Sequence, residues 1–355
     1  MRRTVKRTGV FQLLIKAQAR LLLPTVLMGL LATSLHAADQ AATASLSPEQ
    51  RGQAMKRLAE FRRYRAVPKR QVEAAGQLAA IGPGAVDLLK DFLDREIARL
   101  AAQIEAGTSS AAGDKRIAEL RAVLAKLRDD PDLSKEKLQT DGLAALDQLT
   151  VVYRQRQTRL RAEMRKVSRA AEELGRLSAF FKELQAAGDD PAGGSLPVAT
   201  YQQEIDRLLA AVAGVDEVKL QRAAEENAPR TKGLDPGMVE GMRAVNGMRV
   251  MCGLEPLLVD PKLCAAAAGH SHDMATRGFF DHTSPIAGKT KFTDRAELAG
   301  TTASGENIYM GSASPAAALK AWFLSPPHHK NVLGEKHRRQ GLGRSGKHWT
   351  HLFGR

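Results

Sequence analysis

Phe279-Phe280-Asp281-His282-Thr283-Ser284-Pro285, Gly305-Glu306-Asn307-Ile308 and Ala321-Trp322-Phe323-Leu324-Ser325-Pro326-Pro327-His328 are the three stretches on which the fold turns. Each sets a histidine or a carboxylate beside residues that punctuate regular structure. Before them, Pro236 to Met251 reads as a helix with Met238, Met242, Val245 and Met248 on one side and Gly253 as its stop. Asp260-Pro261 then opens a second helix, since Asp caps a helix start and Pro suits the first turn. It runs through Leu263, Ala267, His270 and Met274 to Gly278, and a third helix covers Ala317 to Phe323. After them, Gly341-Leu342-Gly343-Arg344 and His348-Trp349-Thr350-His351-Leu352-Phe353-Gly354 have strand character.

This region differs in composition from everything before it. From Thr231 onward lie 8 of the 9 His, both Trp, both Cys and 16 of the 30 Gly, whereas the earlier sequence is rich in Ala, Leu, Arg and Glu. The shift marks a domain boundary, and 355 residues are enough for two domains. A hydrophobic share of 43% excludes a wholly disordered chain, and 26% charged residues exclude a multi-span membrane protein. The net charge of +14 divides into +6 for residues 1–37, +2 for 38–230 and +6 for 231–355. Charge so dispersed forms no single basic stripe, and nucleic acid is not expected as a partner.

Residues 1–37 read as an export signal. Arg2, Arg3, Lys6, Arg7, Lys16 and Arg20 precede an apolar run from Leu21 to Leu35, with small residues at Ala37 and Ala38 for cleavage. The rival reading is an uncleaved anchor, but the run falls short of the roughly 20 residues that span a bilayer. A secreted, periplasmic or cell-envelope location is therefore expected. In such an oxidising compartment Cys252 and Cys264 are a candidate disulfide across a turn-rich loop, contributing roughly 2–3 kcal/mol. The alternative is two small buried hydrophobes.

Residues 38–230 read as an all-α, coiled-coil-like stalk. Leu89, Leu93, Ile97, Leu100 and Ile104, then Ile117, Leu120, Leu124 and Leu127, then Leu160, Met164, Val167, Ala171 and Leu174 all step by three or four. Breakers at Gly82-Pro83-Gly84, Gly107 to Gly113, Asp129-Asp130-Pro131 and Gly188 to Pro197 divide the region into about four to six helices. With no His, no Cys and no phosphate-cradling glycine loop, it is expected to act as a spacer or self-association module.

Taken in order, the features of residues 231–355 resemble the CAP superfamily (cysteine-rich secretory protein, antigen 5, pathogenesis-related-1) in its bacterial SCP-like form. The resemblance rests on the Val245-Asn246 helix, Asp260-Pro261, the F-x-H-T-S-P and G-E-N-I segments, A-W-x-x-S-P-x-H, the G-x-G strand and the closing W-T-x-x-F-G strand. It covers about a third of the chain and implies an α+β chain: a C-terminal three-layer α-β-α sandwich behind the helical region. It also implies a groove lined by two His and two acids. Matched by position, these are His282, Glu306 and His328, with Ser325 where the second acid is expected and Asn307 beside Glu306. Pro327 also stands where the family has Gly.

Two imidazoles and a carboxylate could ligate a divalent metal such as zinc, could serve as general acid and base, or could pin three irregular segments together. No metal is required by the pattern, and no catalytic residue is assigned, since Ser284 has no nucleophile elbow or paired base around it. His329, His337, His348 and His351 are expected at the surface, and Trp322 and Trp349 in the core. The resemblance implies a non-enzymatic binding or interaction module for an envelope component or a small lipid-like ligand. A metal-dependent hydrolase or protease using the same residues is the alternative.

Overall fold

The computed structural model describes residues 45–112, 114–187 and 196–355. The expected export signal, residues 1–37, and the glycine-rich break at 188–195 lie outside the described residues. The chain forms two compact units, and they do not follow the linear boundary at residue 231. One gathers 45–112 with 159–215; the other gathers 114–158 with 216–355.

The first unit is helical. Its elements are α1 (Pro48–Arg63), α2 (Pro68–Ile81), α3 (Pro83–Ala112), the later part of α5 (Leu143–Ala186) and α6 (Val198–Ala213). Ser47 starts α1 with a reciprocal cap, its hydroxyl accepting from Gln50 N at 3.2 Å while Gln50 Oε1 accepts from Ser47 N at 3.0 Å. The interior is built on aromatic edges: Phe61 meets Phe180 at 4.9 Å, Phe180 meets Phe181 at 5.0 Å, and Phe181 stacks on Tyr201 at 5.4 Å. The break expected over Gly107 to Gly113 falls at its far end: α3 continues to Ala112, and the next helix begins at Lys115. Gly107 itself lies within the helix and serves packing, since a Cβ there would come within 2.2 Å of Val167 Cγ2.

The second unit holds a four-stranded mixed sheet in the order β1-β3-β4-β2: β1 (Leu258–Val259), β2 (Gly305–Met310), β3 (Arg339–Ser345) and β4 (His348–Gly354). β1 runs parallel to β3, and β4 is antiparallel to both β3 and β2. Helices α8 (Pro236–Met251) and α11 (Pro315–Phe323) share a core with Leu342, Trp349 and Phe353 of the strands. Helix α9 (Pro261–Arg277) and α10 (Phe292–Leu298) pack with Leu352, whose side chain points to the opposite face. This is the expected α-β-α arrangement. Asp260 caps α9 through Lys262 N at 2.9 Å, and Gly278 ends it at φ +71°.

The G-x-G strand has a steric purpose. A Cβ on Gly341 would lie 2.3 Å from Leu263 C, and one on Gly343 would lie 2.0 Å from Ala268 N, so α9 rests directly on the backbone of β3. Trp322 and Trp349 are 2% and 0% exposed and donate to Ile308 O at 3.0 Å and Ser312 O at 2.8 Å, as core anchors should.

The same core takes in residues from before 231. Ile117, Leu120 and Leu124 of α4 (Lys115–Asp129), with Leu146, Leu149 and Tyr153 from the start of α5, belong to one cluster with Met248, Trp322 and Phe353. Arg121 joins α4 to the end of α8, donating to Met251 O at 2.8 Å and Val250 O at 2.9 Å while pairing with Asp216 at 2.7 Å. Asp216 starts α7 (Asp216–Asn227), whose last residue accepts from Val259 N and donates to Leu257 O. An apolar seam shows that a helix face must be covered, not what covers it.

The expected disulfide is not formed; Cys252 and Cys264 are both free thiols. Cys264 Sγ lies 3.9 Å from Met242 Sδ. Cys252 caps the far end of the same helix, ten residues on and about 15 Å along its axis. A disulfide needs Cα atoms within about 7 Å. Burial pushes the Cys252 thiol up to about 12 and the Cys264 thiol up to about 11, so both behave as small apolar groups.

Candidate functional site

Three segments meet around Glu306. It sits in β2, directly opposite Leu352 of β4, so its side chain projects to the α9–α10 face of the sheet. His282 comes from the loop after α9, Arg295 from α10, and His328 from the first turn of α12 (Pro326–Val332). That last segment reads as a breaker in sequence. In the structure Pro326 takes the first helical position, where its missing N–H has no cost.

Glu306 is clasped from two sides. Oε1 lies 2.8 Å from His282 Nδ1, and Oε2 accepts from Arg295 Nη2 at 2.6 Å. Arg295 also donates to His282 O at 3.2 Å and, through Nη1, to Lys289 O at 2.9 Å and Thr290 O at 3.2 Å. One buried guanidinium thus fixes both the carboxylate and the loop that carries the imidazole. A carboxylate oxygen only accepts, so Nδ1 donates to it, and Nε2 is the ring nitrogen of His282 outside that contact, on a side chain that is 49% exposed.

His328 joins from the other side, its ring centroid 5.8 Å from that of His282 at 53°. Burial pushes its imidazole down to about 4, with the neighbouring His282 adding to the effect, so it is neutral near pH 7. Asn307 lies on the opposite face of β2 and donates to His328 O at 3.1 Å. Asn331 completes the bracket, donating to Asn307 Oδ1 at 2.8 Å and Glu306 O at 3.1 Å. Ser325 stands at the N-cap of α12, where its carbonyl accepts from His329 N at 2.7 Å and its side chain makes no capping bond.

Of the residues singled out from sequence, His282, Glu306 and His328 come together, Asn307 supports His328 through its backbone, and Ser325 begins the helix that carries His328. Arg295 and Asn331 escape a reading of sequence alone. Arg295 occurs in an ordinary charged heptamer, and nothing local marks it as 3% exposed. His270 is a further neighbour, buried on α9 with Nε2 3.1 Å from Asp281 O. Burial lowers its pKa against the opposing charge of Glu306. His329, His337 and His351, expected at the surface, are buried at 0%, 8% and 0% exposure. They fill the core as flat polar rings: His329 Nδ1 lies 2.9 Å from Phe323 O, and His351 Nε2 lies 3.2 Å from Gln340 Oε1.

The geometry limits the chemistry. A catalytic zinc site uses three protein ligands and an open position. Here both oxygens of Glu306 are engaged, and no group of three His, Cys, Asp or Glu among the described residues is placed to hold a metal ion. His282 and His328 alone could approach a cation together. Ser284 offers no nucleophile–base pair, because it is 2% exposed and its hydroxyl accepts from Ile286 N at 3.2 Å within the loop.

Residues 242–349 match the model of the cysteine-rich secretory protein family, CAP. Over 110 residues the chain is 36% identical to an uncharacterized protein, YkwD, of Bacillus subtilis (strain 168), covering 30% of this chain and 43% of that one. It is 34% identical over 110 residues to an uncharacterized membrane protein, YlbC, of the same organism, covering 30% and 31%. A crystal structure of an extracellular protein containing a SCP domain from Bacillus anthracis str. Ames shares 31% identity over 34% of this chain and 40% of that chain, with a TM-score of 0.32. The chain spans less than half the length of these relatives. Its C-terminal part is a CAP domain of the SCP-like type, preceded by a helical region. No described helix is long and apolar enough to cross a membrane.

Proposed function

We propose that this CAP domain is a non-enzymatic binding module of an exported protein, taking an envelope component or a small lipid-like ligand at the edge formed by His282 and His328. The observation that carries the reading is the double engagement of Glu306 by Arg295 and His282. A carboxylate held in this way orients an imidazole and does not need to exchange protons with a substrate. What His282 offers a ligand is Nε2, the ring nitrogen that Glu306 does not engage, on a half-exposed side chain. The helical region would space or self-associate such modules.

Co-sedimentation of the chain lacking residues 1–37 with vesicles of phosphatidylethanolamine and phosphatidylglycerol tests the reading, beside co-sedimentation with purified envelope fragments. Binding that falls at least tenfold in His282→Ala, with the fold retained, supports it. Equal binding by the two proteins sinks it.

A divalent-metal-dependent hydrolase or protease is the second reading. It is favoured by one observation, the neutral His328 ring 5.8 Å from His282. Calorimetric titration with zinc decides between the two. Stoichiometric binding lost in both His282→Ala and His328→Ala, with zinc-dependent cleavage of a peptide or ester, would replace the first reading with this one.

A further inference from the structure

Residues 62–70, Arg-Arg-Tyr-Arg-Ala-Val-Pro-Lys-Arg, carry the chain from α1 into α2 and hold five cations and no acid. The net charge of +2 over residues 38–230 conceals this local excess. Arg62, Arg63, Arg65, Lys69 and Arg70 are all exposed. The turn is tight, with Val67 N donating to Tyr64 O at 2.7 Å, and it leaves Val67 46% exposed. Arg63 and Arg70 lie over the Tyr64 ring at 6.0 and 5.6 Å. Arg62 is turned to the Phe92 ring of α3 at 5.3 Å, which leaves four cations around Tyr64 and Val67.

The turn gives up local stability to keep these side chains. A helix start ordinarily has Ser, Thr, Asp or Asn as its N-cap, and acids rather than cations suit its first turn. Ser47, Asp235 and Asp260 cap α1, α8 and α9 in this way. At α2 the N-cap is Val67, which makes no capping bond, and the first turn holds Lys69 and Arg70 and no acid. Acids on the flanking helices do not neutralise the group. Glu60 pairs with Arg57 at 2.7 Å, Glu96 with Arg99 at 2.6 Å, and Glu73 reaches Arg70 only at 3.9 Å. Arg63, Arg65 and Lys69 enter no salt bridge among the described residues. Proteins break such local rules chiefly at functional surfaces.

We propose that this turn docks on an anionic lipid surface. A cluster of four or more Lys and Arg is drawn to anionic headgroups, each residue adding to the attraction. Arg63, Arg65, Lys69 and Arg70 would meet headgroup phosphates, which a guanidinium can hold through two oxygens at once. Tyr64 and Val67 point to lipid rather than to a soluble polyanion. An amphipathic ring and an exposed apolar side chain among the charges gain only where hydrocarbon lies beneath the headgroups. The inference goes beyond the reading of the CAP domain, as none of these residues belongs to its groove.

Co-sedimentation of the chain lacking residues 1–37 with phosphatidylcholine vesicles, with and without phosphatidylglycerol, tests the surface. Every protein compared carries His282→Ala, so the groove contributes nothing to the difference. Binding should be at least tenfold tighter with phosphatidylglycerol and should weaken at least tenfold between about 50 mM and about 500 mM salt. Arg63→Gln, Arg65→Gln and Lys69→Gln combined should remove that preference, whereas Arg63→Lys with Arg65→Lys should keep it. Val67→Ser should weaken vesicle binding at least threefold and leave binding to heparin, a polyanion without hydrocarbon, unchanged. All four positions are exposed, and circular dichroism checks that the helices persist. Equal binding to the two kinds of vesicle overturns the proposal, as does full binding by the triple glutamine variant. A Val67→Ser chain that binds vesicles as well as its parent overturns it too, by assigning the turn to a soluble polyanion. None of these failures touches the CAP-domain reading, which rests on the effect of His282→Ala itself.

Discussion

Arg295 and Glu306 meet at 2.6 Å with side chains only 2% and 1% exposed, in a salt bridge taken almost wholly out of water. Such a pair gains little net stability over an apolar pair of the same shape, but removing one partner strands the other. Arg295→Met should cost about 3–5 kcal/mol, because Glu306 would keep only His282. Arg295→Met combined with Glu306→Leu should recover most of that loss. Urea unfolding followed by tryptophan fluorescence measures both. A double variant as weak as the single one would show that the pair acts through the loop carbonyls of Lys289 and Thr290 instead.

The contact of α9 with β3 predicts a sharp contrast between two glycines. Gly343→Ala would put a methyl group 2.0 Å from Ala268 N, a backbone atom that cannot turn aside, and should abolish the folded domain. Gly269 lies one residue further along the same helix with nothing within 4 Å of its missing Cβ. Gly269→Ala should therefore stabilise by about 0.5–1 kcal/mol through helix propensity and chain entropy. Thermal melts of the two variants check the order.

Acid should unfold the C-terminal unit early. Burial holds His329 and His337 down at about 4 and His351 at about 3, below the ordinary value near 6.5. The unfolded chain thus takes up these protons first. The stability due to neutral buried rings is full above about pH 6.5 and is lost as pH falls toward 4. For a ring as buried as His329 the effect is on the order of 3 kcal/mol. Tryptophan fluorescence isolates this unit, since Trp322 and Trp349 both lie in it. Its melting temperature should fall steadily between pH 6.5 and 4, and His329→Gln should flatten that slope. A flat profile down to pH 4 would contradict the assignment.

The shared core predicts that residues 231–355 expressed alone are not a complete folding unit. The fragment would lack Ile117, Leu120, Leu124, Leu146 and Leu149, which cover α8 and its neighbours in the intact chain. It should bind a hydrophobic dye and melt at least 10 °C below the full protein, or without cooperativity. In the intact chain, Arg121→Ala should cost about 2–3 kcal/mol, since it opens the end of α8 and leaves Asp216 short of a partner. A fragment as stable as the whole would place the boundary at residue 231 after all.

Much of the C-terminal domain is legible in sequence because its signals are local. Asp260-Pro261 and Gly278 bracket α9 by capping chemistry, and Gly-Glu-Asn-Ile is the strand its spacing suggests. His282, Glu306 and His328 are legible by resemblance, and they do meet. The residues that escape notice act at a distance. Arg295 matters through a carboxylate eleven positions away, and Arg121 through carbonyls about 130 positions away. Cys252 and Cys264 mislead for the same reason: nearness along the chain says little when a rigid helix holds the two apart.

β4 follows every other strand in chain order, yet it lies between β3 and β2 and hydrogen-bonds to both. Until it arrives, β2 has no neighbour and β3 only the two-residue β1. Helix α4 likewise waits, some 200 residues upstream, for partners such as Phe353. The sheet of this unit is therefore closed by its last strand alone, a zip drawn shut by its final teeth. A product cut short by even seven residues would be left with an open seam along the middle of the sheet.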